Sequence, residues 1–120
     1  RIGFSRAVRV GDMVFVSGTI AADEHGNILH PGSAHLQTLA AFEKAEKALI
    51  QLGSSRRDVV RTRMYITNIA HADEVGRAHQ EFFLDVMPVA TMLQVSAFVS
   101  PLALVEVEMD AVVGSGKSDQ

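Results

Sequence analysis

Cysteine and tryptophan are both absent from this 120-residue chain. Without a thiol there is no disulfide framework, no thiolate nucleophile and no zinc–thiolate site. That composition fits a reducing compartment, and a cytoplasmic protein is expected. Aromatic residues make up only 6% of the chain, with a single tyrosine, and the net charge is −3. Few stacking platforms and no basic excess argue against a nucleic-acid partner. Long apolar runs are missing too: charges or glycines break each one well before the roughly 18 residues of a membrane span, so no membrane association is expected. The chain opens at Arg1 with no signal-peptide pattern. His25, His30, His35 and His71 have no mutual spacing that suits a metal, and no phosphate-binding glycine-rich loop occurs. Neither metal nor cofactor is expected.

What is present is 48% hydrophobic residues, enough for one two-layer core. We read residues 1–113 as a single domain and the glycine- and serine-rich stretch 114–120 as a disordered tail. Ala7–Val10 and Met13–Ser17 flank the two-residue turn Gly11-Asp12 and predict a β-hairpin. Leu104–Val112 alternates, so a strand there turns Val105, Val107, Met109 and Ala111 to one face and Glu106, Glu108 and Asp110 to the other. Asp58–Thr67 sets Val60, Thr62, Met64 and Ile66 against Arg61, Arg63 and Tyr65. Rows of opposite charge suggest neighbouring strands, or strands meeting across an interface. A further strand is expected over Pro88–Ala97, and a short one at Ile28–Leu29.

Helical spacing of Leu36, Leu39, Phe42, Ala45, Leu49 and Leu52 predicts a helix from Ser33 to Leu52, stopped by Gly53. A second helix is expected from Ala72 to Asp85, with Asp73 and Glu74 in its first turn, Val75, Ala78, Phe82 and Phe83 facing inward, and Pro88 barring its continuation. The order β-β-(β)-α-β-α-β-β describes an α+β two-layer sandwich, a mixed sheet with two helices on one face. The other face carries the charge rows. It must meet water or the same face of other subunits, because unpaired buried carboxylates are costly.

In order and spacing, Phe4–Asp12, Val14–Ile20, Val59–Thr62, Glu81–Phe83 and Leu104–Glu108 resemble the YjgF/RidA family, from about Gly3 to Val113. The resemblance implies a chorismate-mutase-like fold assembled as a homotrimer, with a small-molecule cleft between each pair of subunits. It also implies hydrolysis of reactive imines or enamines, such as 2-iminopropanoate, to 2-oxo acids and ammonia. Deaminating members hold the substrate carboxylate with an arginine in a Pro-X-Arg-Thr motif. Here Pro88-Val89-Ala90-Thr91 places Ala90 at that position. Loss of a bidentate, charge-assisted clamp removes on the order of a few kcal/mol of binding. The chain thus resembles an arginine-lacking branch whose ligand is less anionic.

By the same resemblance Glu106 corresponds to the glutamate that positions water, and Phe4, Ser17, Gly18, Ala90 and Thr91 correspond to ligand-contacting positions. Phe4 replaces a tyrosine, and Gly76 an asparagine, of the family pattern. His79 stands where a tyrosine is frequent and is a second candidate for acid–base work. Bland alternatives stand beside each reading. Glu106 could pair with a strand arginine, His79 could be an ordinary exposed or capping histidine, and Ser17-Gly18 could simply end a strand. Arg6, Arg61 and Arg63 are candidates to replace the missing clamp. Two other functions compete with hydrolysis, namely ligand binding without turnover and a single-stranded RNA endonuclease or translation inhibitor.

Overall fold

A computed structural model describes residues 3–116. Strands β1 (Ala7–Val10) and β2 (Met13–Thr19) form the expected hairpin, with Val10 opposite Met13. Gly11 has φ 61° while Asp12 does not enter the positive region, the pattern of a turn that needs glycine at its first central position. Helix α1 (Ala34–Gln51) starts where the Ser33 hydroxyl accepts the Leu36 N–H at 3.1 Å. It stops at Gly53, φ 86°, where the Ser54 N–H returns to the Leu49 carbonyl. Strand β3 (Val59–Ile66), helix α2 (Ala72–Phe82), and strands β4 (Val89–Gln94) and β5 (Val105–Val112) follow among the described residues.

The five strands lie in the order β1-β2-β5-β3-β4. All neighbours are antiparallel except β3 and β4, which run parallel because α2 carries the chain back between them. Both helices lie on one face, giving the α+β sandwich that the residue patterns predict. Val14, Val16, Met64, Ile66, Val105, Val107, Met109 and Ala111 project from the sheet into the core. Phe42, fully buried on α1, meets Phe83 edge-on at 5.0 Å and stacks on Phe82 at 5.5 Å, locking α1 to the end of α2.

Several expectations are corrected. The buried side of α1 is Ala34, Gln37, Thr38, Ala41, Phe42, Ala45, Ala48 and Leu49, while Leu36 is exposed. Apolar spacing missed Gln37 because its amide is satisfied by backbone: it donates to the His30 and Leu102 carbonyls and accepts from the Leu104 N–H. Val60 is exposed rather than buried, because the β3–β5 register slips between Val59 and Arg61. Helix α2 ends at Phe82, and a turn over Phe83–Val86 reaches Met87, φ 56°. In β4 the ladder ends at Gln94, whose side chain takes the Ile69 N–H. At Ile28 there is only an isolated bridge to Ala22.

Of the expected tail, Ser115 and Gly116 hydrogen-bond to Asp58, and residues 117–120 lie outside the described residues. No helix among the described residues is long and apolar enough to cross a membrane.

Candidate functional site

On the sheet face away from the helices, β3 and β5 set Arg61 beside Asp110, Arg63 beside Glu108 and Tyr65 beside Glu106. The charge rows do lie on neighbouring strands. Arg63 reaches Asp110 at 3.2 Å and Glu108 at 3.9 Å, and the Tyr65 hydroxyl donates to Glu108 at 2.7 Å. Two of the three carboxylates are therefore answered within the protomer. Glu106 has no hydrogen bond or ion pair among the described residues. Burial first, and the like charge of Glu108 second, push its carboxyl above the ordinary pKa.

What holds Glu106 there is β2. Val16 pairs with Met109 but Thr19 pairs with Val107, so Ser17 and Gly18 form a bulge against one residue of β5. A methyl group at Gly18 would overlap Glu106 Oε2, so the missing side chain is the space the carboxylate occupies. Ser17 is spoken for: its N–H and hydroxyl both donate to the Arg6 carbonyl, at 2.9 and 3.0 Å. With no histidine beside it, Ser17 is a positioning residue for the bulge rather than a nucleophile. A hollow of about 400 Å3 opens beside this bulge, lined in part by Ser5, Phe15, Ser17, Arg63, Glu108 and Asp110.

The other candidate residues gather elsewhere. His79 lies under the opposite face of the sheet, its Nε2 2.8 Å from the Thr62 hydroxyl and its ring among Phe42 and Phe83. Burial lowers its pKa, so the neutral ring is favoured. Ala90 pairs with Thr62 in parallel register and therefore shares that face, whereas Thr91, paired with Arg63, shares the open face. Ala90 and Thr91 are exposed, and Phe4 is 65% exposed ahead of β1. Within one protomer, then, Ser17, Gly18 and Glu106 form one group and His79 and Ala90 another, on opposite faces of the sheet. The patterns gave Thr62, Tyr65 and Phe83 a face but no part in the site, and they passed over Leu84 and Met87, which wall the space beside His79. Among the described residues no three His, Cys, Asp or Glu side chains cluster to hold a metal ion.

A family model described as Endoribonuclease L-PSP matches residues 1–113. The chain belongs to the YjgF/RidA family. In that family, a structure of a YjgF/YER057c/UK114 member from Mycobacterium tuberculosis is 41% identical, with TM-score 0.83, covering 93% of this chain and 88% of that one. An uncharacterised protein of Streptomyces coelicolor is 41% identical over 114 residues, 94% of this chain and 84% of its own length. The 3-aminoacrylate deaminase RutC of Acinetobacter baylyi is 29% identical over 101 residues, 84% of this chain and 79% of its own. The fold shared by these YjgF/RidA proteins is the chorismate-mutase-like α+β sandwich described above.

Proposed function

We propose that this YjgF/RidA protein hydrolyses a small imine or enamine, in clefts formed where three copies join by their open sheet faces, with Glu106 positioning the attacking water. The observation that carries this reading is Glu106 itself, among the described residues the carboxylate of the charge rows without a partner, raised in pKa and seated in the gap that Gly18 leaves. Water adds to the C=N carbon, the carbon–nitrogen bond then breaks, and ammonia leaves a carbonyl product. A carboxylate whose pKa is raised by burial holds a proton more readily than an ordinary one, which suits taking a proton from water and returning it to the leaving nitrogen.

Assembly answers one feature of the protomer. Apolar Val8, Val10, Met13, Phe15, Val89 and Leu93 share the open face and are exposed, and such a surface is stabilised by burial against another copy. The RutC relative is named a 3-aminoacrylate deaminase, and that enamine chemistry is of the class proposed here. The carboxylate clamp is not: Ala90 holds no anion, so 2-imino acids are poor substrates and neutral analogues better ones. An RNA-cleaving role has less support, since the charge rows set three carboxylates against two arginines, a balance unsuited to a polyanion.

The test follows ammonia release from freshly generated 2-iminopropanoate and 2-iminopropanamide. The amide is expected to turn over faster, and Glu106→Gln to lower that rate about 100-fold. Rates equal in variant and wild type would overturn the role of Glu106, and no release above the spontaneous rate would leave ligand binding without turnover as the reading.

A further inference from the structure

Where α1 passes the turn Asp23–Asn27, a hollow of about 480 Å3 is lined in part by the apolar Ala22, Leu29 and Ala40. The turn is closed by a bridge between Ala22 and Ile28 and by the Asp23 carboxylate, which accepts the N–H groups of His25 and Asn27 at 2.9 Å. Two amines three residues apart on α1, Lys44 and Lys47, enter the same hollow.

The two amines stand in different surroundings. Lys47 is exposed, whereas Lys44 is half-buried and its Nζ donates to the Ala22 carbonyl at 3.1 Å. Asp23, Glu24 and Glu43 also line the hollow, yet among the described residues Lys44 forms no ion pair with them. Its acceptor is neutral instead, and a carbonyl oxygen accepts from an ammonium, a free amine or a protonated imine alike. Burial first, and the charge of Arg6 second, lower the Lys44 pKa, against the pull of the Asp23 carboxylate. Desolvation and a neighbouring cation are the conditions that make a lysine nucleophilic near neutral pH.

We propose that Lys44 is a covalent capture site for small aliphatic aldehydes, its amine forming an imine in this hollow while the Ala22 carbonyl holds the nitrogen in place. The amine lone pair adds to the carbonyl carbon, and a proton passes from nitrogen to the former carbonyl oxygen. That oxygen then leaves as water with a second amine proton, and the carbon–nitrogen double bond forms. No oxidant, reductant or cofactor enters the balance. Ala22, Leu29 and Ala40 receive the aliphatic chain. The site is separate from Glu106 and independent of the hydrolysis proposed there.

The experiment treats the full chain with propanal, traps the imine with cyanoborohydride and maps the propylated residues by mass spectrometry. Lys47 is the internal control, since it lines the same hollow on the same helix. At pH 7, Lys44 is expected to be labelled about threefold faster than Lys47 or more, and its lead should narrow as the pH approaches 10, where an ordinary lysine also loses its proton. Asp23→Asn keeps an oxygen for the turn but removes the charge that opposes Lys44, and should speed its labelling further. Lys47 labelled as fast as Lys44 at pH 7, a lead that does not change with pH, or slower labelling of Lys44 in a folded Asp23→Asn would each overturn the proposal. Peptide mapping separates Lys44 from the amino terminus, and the wild-type comparison stands whether or not the variant folds.

Discussion

Gly18 and Glu106 share one volume: the carboxylate of Glu106 occupies the place a β-carbon on Gly18 would take. The bulge at Ser17-Gly18 brings the β2 backbone over β5 at this point, and only glycine lets the carboxylate lie against it. The overlap falls on the end of a flexible side chain, so Gly18→Ala should cost stability little, about 1 kcal/mol or less. If Glu106 positions water as proposed, the effect on turnover should be larger, and a loss of about 10–100-fold in kcat is expected. Combining it with Glu106→Gln should add little to the loss from Glu106→Gln alone. Steady-state kinetics of the three variants check this, and fully multiplicative losses would separate the two residues.

Protonation of His79 should destabilise the fold. The neutral ring accepts or donates one hydrogen bond to Thr62 inside an aromatic nest, and burial lowers its pKa below the ordinary 6.5. A base with a lowered folded-state pKa contributes stability that is present above its unfolded value and is lost as pH falls through that value toward the folded one. Urea midpoints should therefore drop between pH 7.5 and pH 5.5 by more in the wild type than in His79→Gln, which cannot titrate. Thr62→Val leaves Nε2 unpaired and should cost about 1–2 kcal/mol at neutral pH. Equal pH slopes in wild type and His79→Gln would show that this ring does not set the dependence.

The fold was legible because its signals are periodic. Alternation in Leu104–Val112 and the rise of apolar residues along Phe42, Ala45 and Leu49 state which face is inward, and Gly11, Gly53 and Pro88 mark the turns. What periodicity misreads are positions where hydrogen bonding replaces hydrophobicity: Gln37 is buried because three backbone groups satisfy it, and Val60 is exposed because a bulge shifts the register. For the site, alternation placed Glu106, Arg63 and Tyr65 on one face. It could not say which carboxylate stays unpaired, because that depends on side-chain reach, with Arg63 spanning Glu108 and Asp110 and Tyr65 closing on Glu108. Nor could it show His79 bonded to Thr62, a contact between elements 17 residues apart.

Phe42 is the pivot of the helix layer, fully buried and in ring contact with Phe82, Phe83 and His79. Phe42→Ala should cost about 3–5 kcal/mol, a large part of the 5–15 kcal/mol typical of a domain. Urea unfolding followed by circular dichroism measures it. A cost below about 1 kcal/mol would mean that Phe82 and Phe83 collapse into the vacancy.

Assembly through the open sheet face makes the sharpest prediction at Phe15. This residue is 40% exposed, stands opposite Asp110 in the β2–β5 register, and belongs to the apolar group that a neighbouring copy would cover. Phe15→Glu places a second negative charge beside Asp110, where like charges across a strand pair repel, and it puts an uncompensated carboxylate into any interface formed there. Ile50 supplies the control, an exposed apolar residue on the outer side of α1, away from the sheet. Sedimentation velocity at micromolar concentration should find the wild type and Ile50→Glu at the mass of a trimer and Phe15→Glu at that of a protomer with its circular dichroism retained. A trimer that survives Phe15→Glu would move the interface off this face, and the proposed cleft beside Glu106 with it.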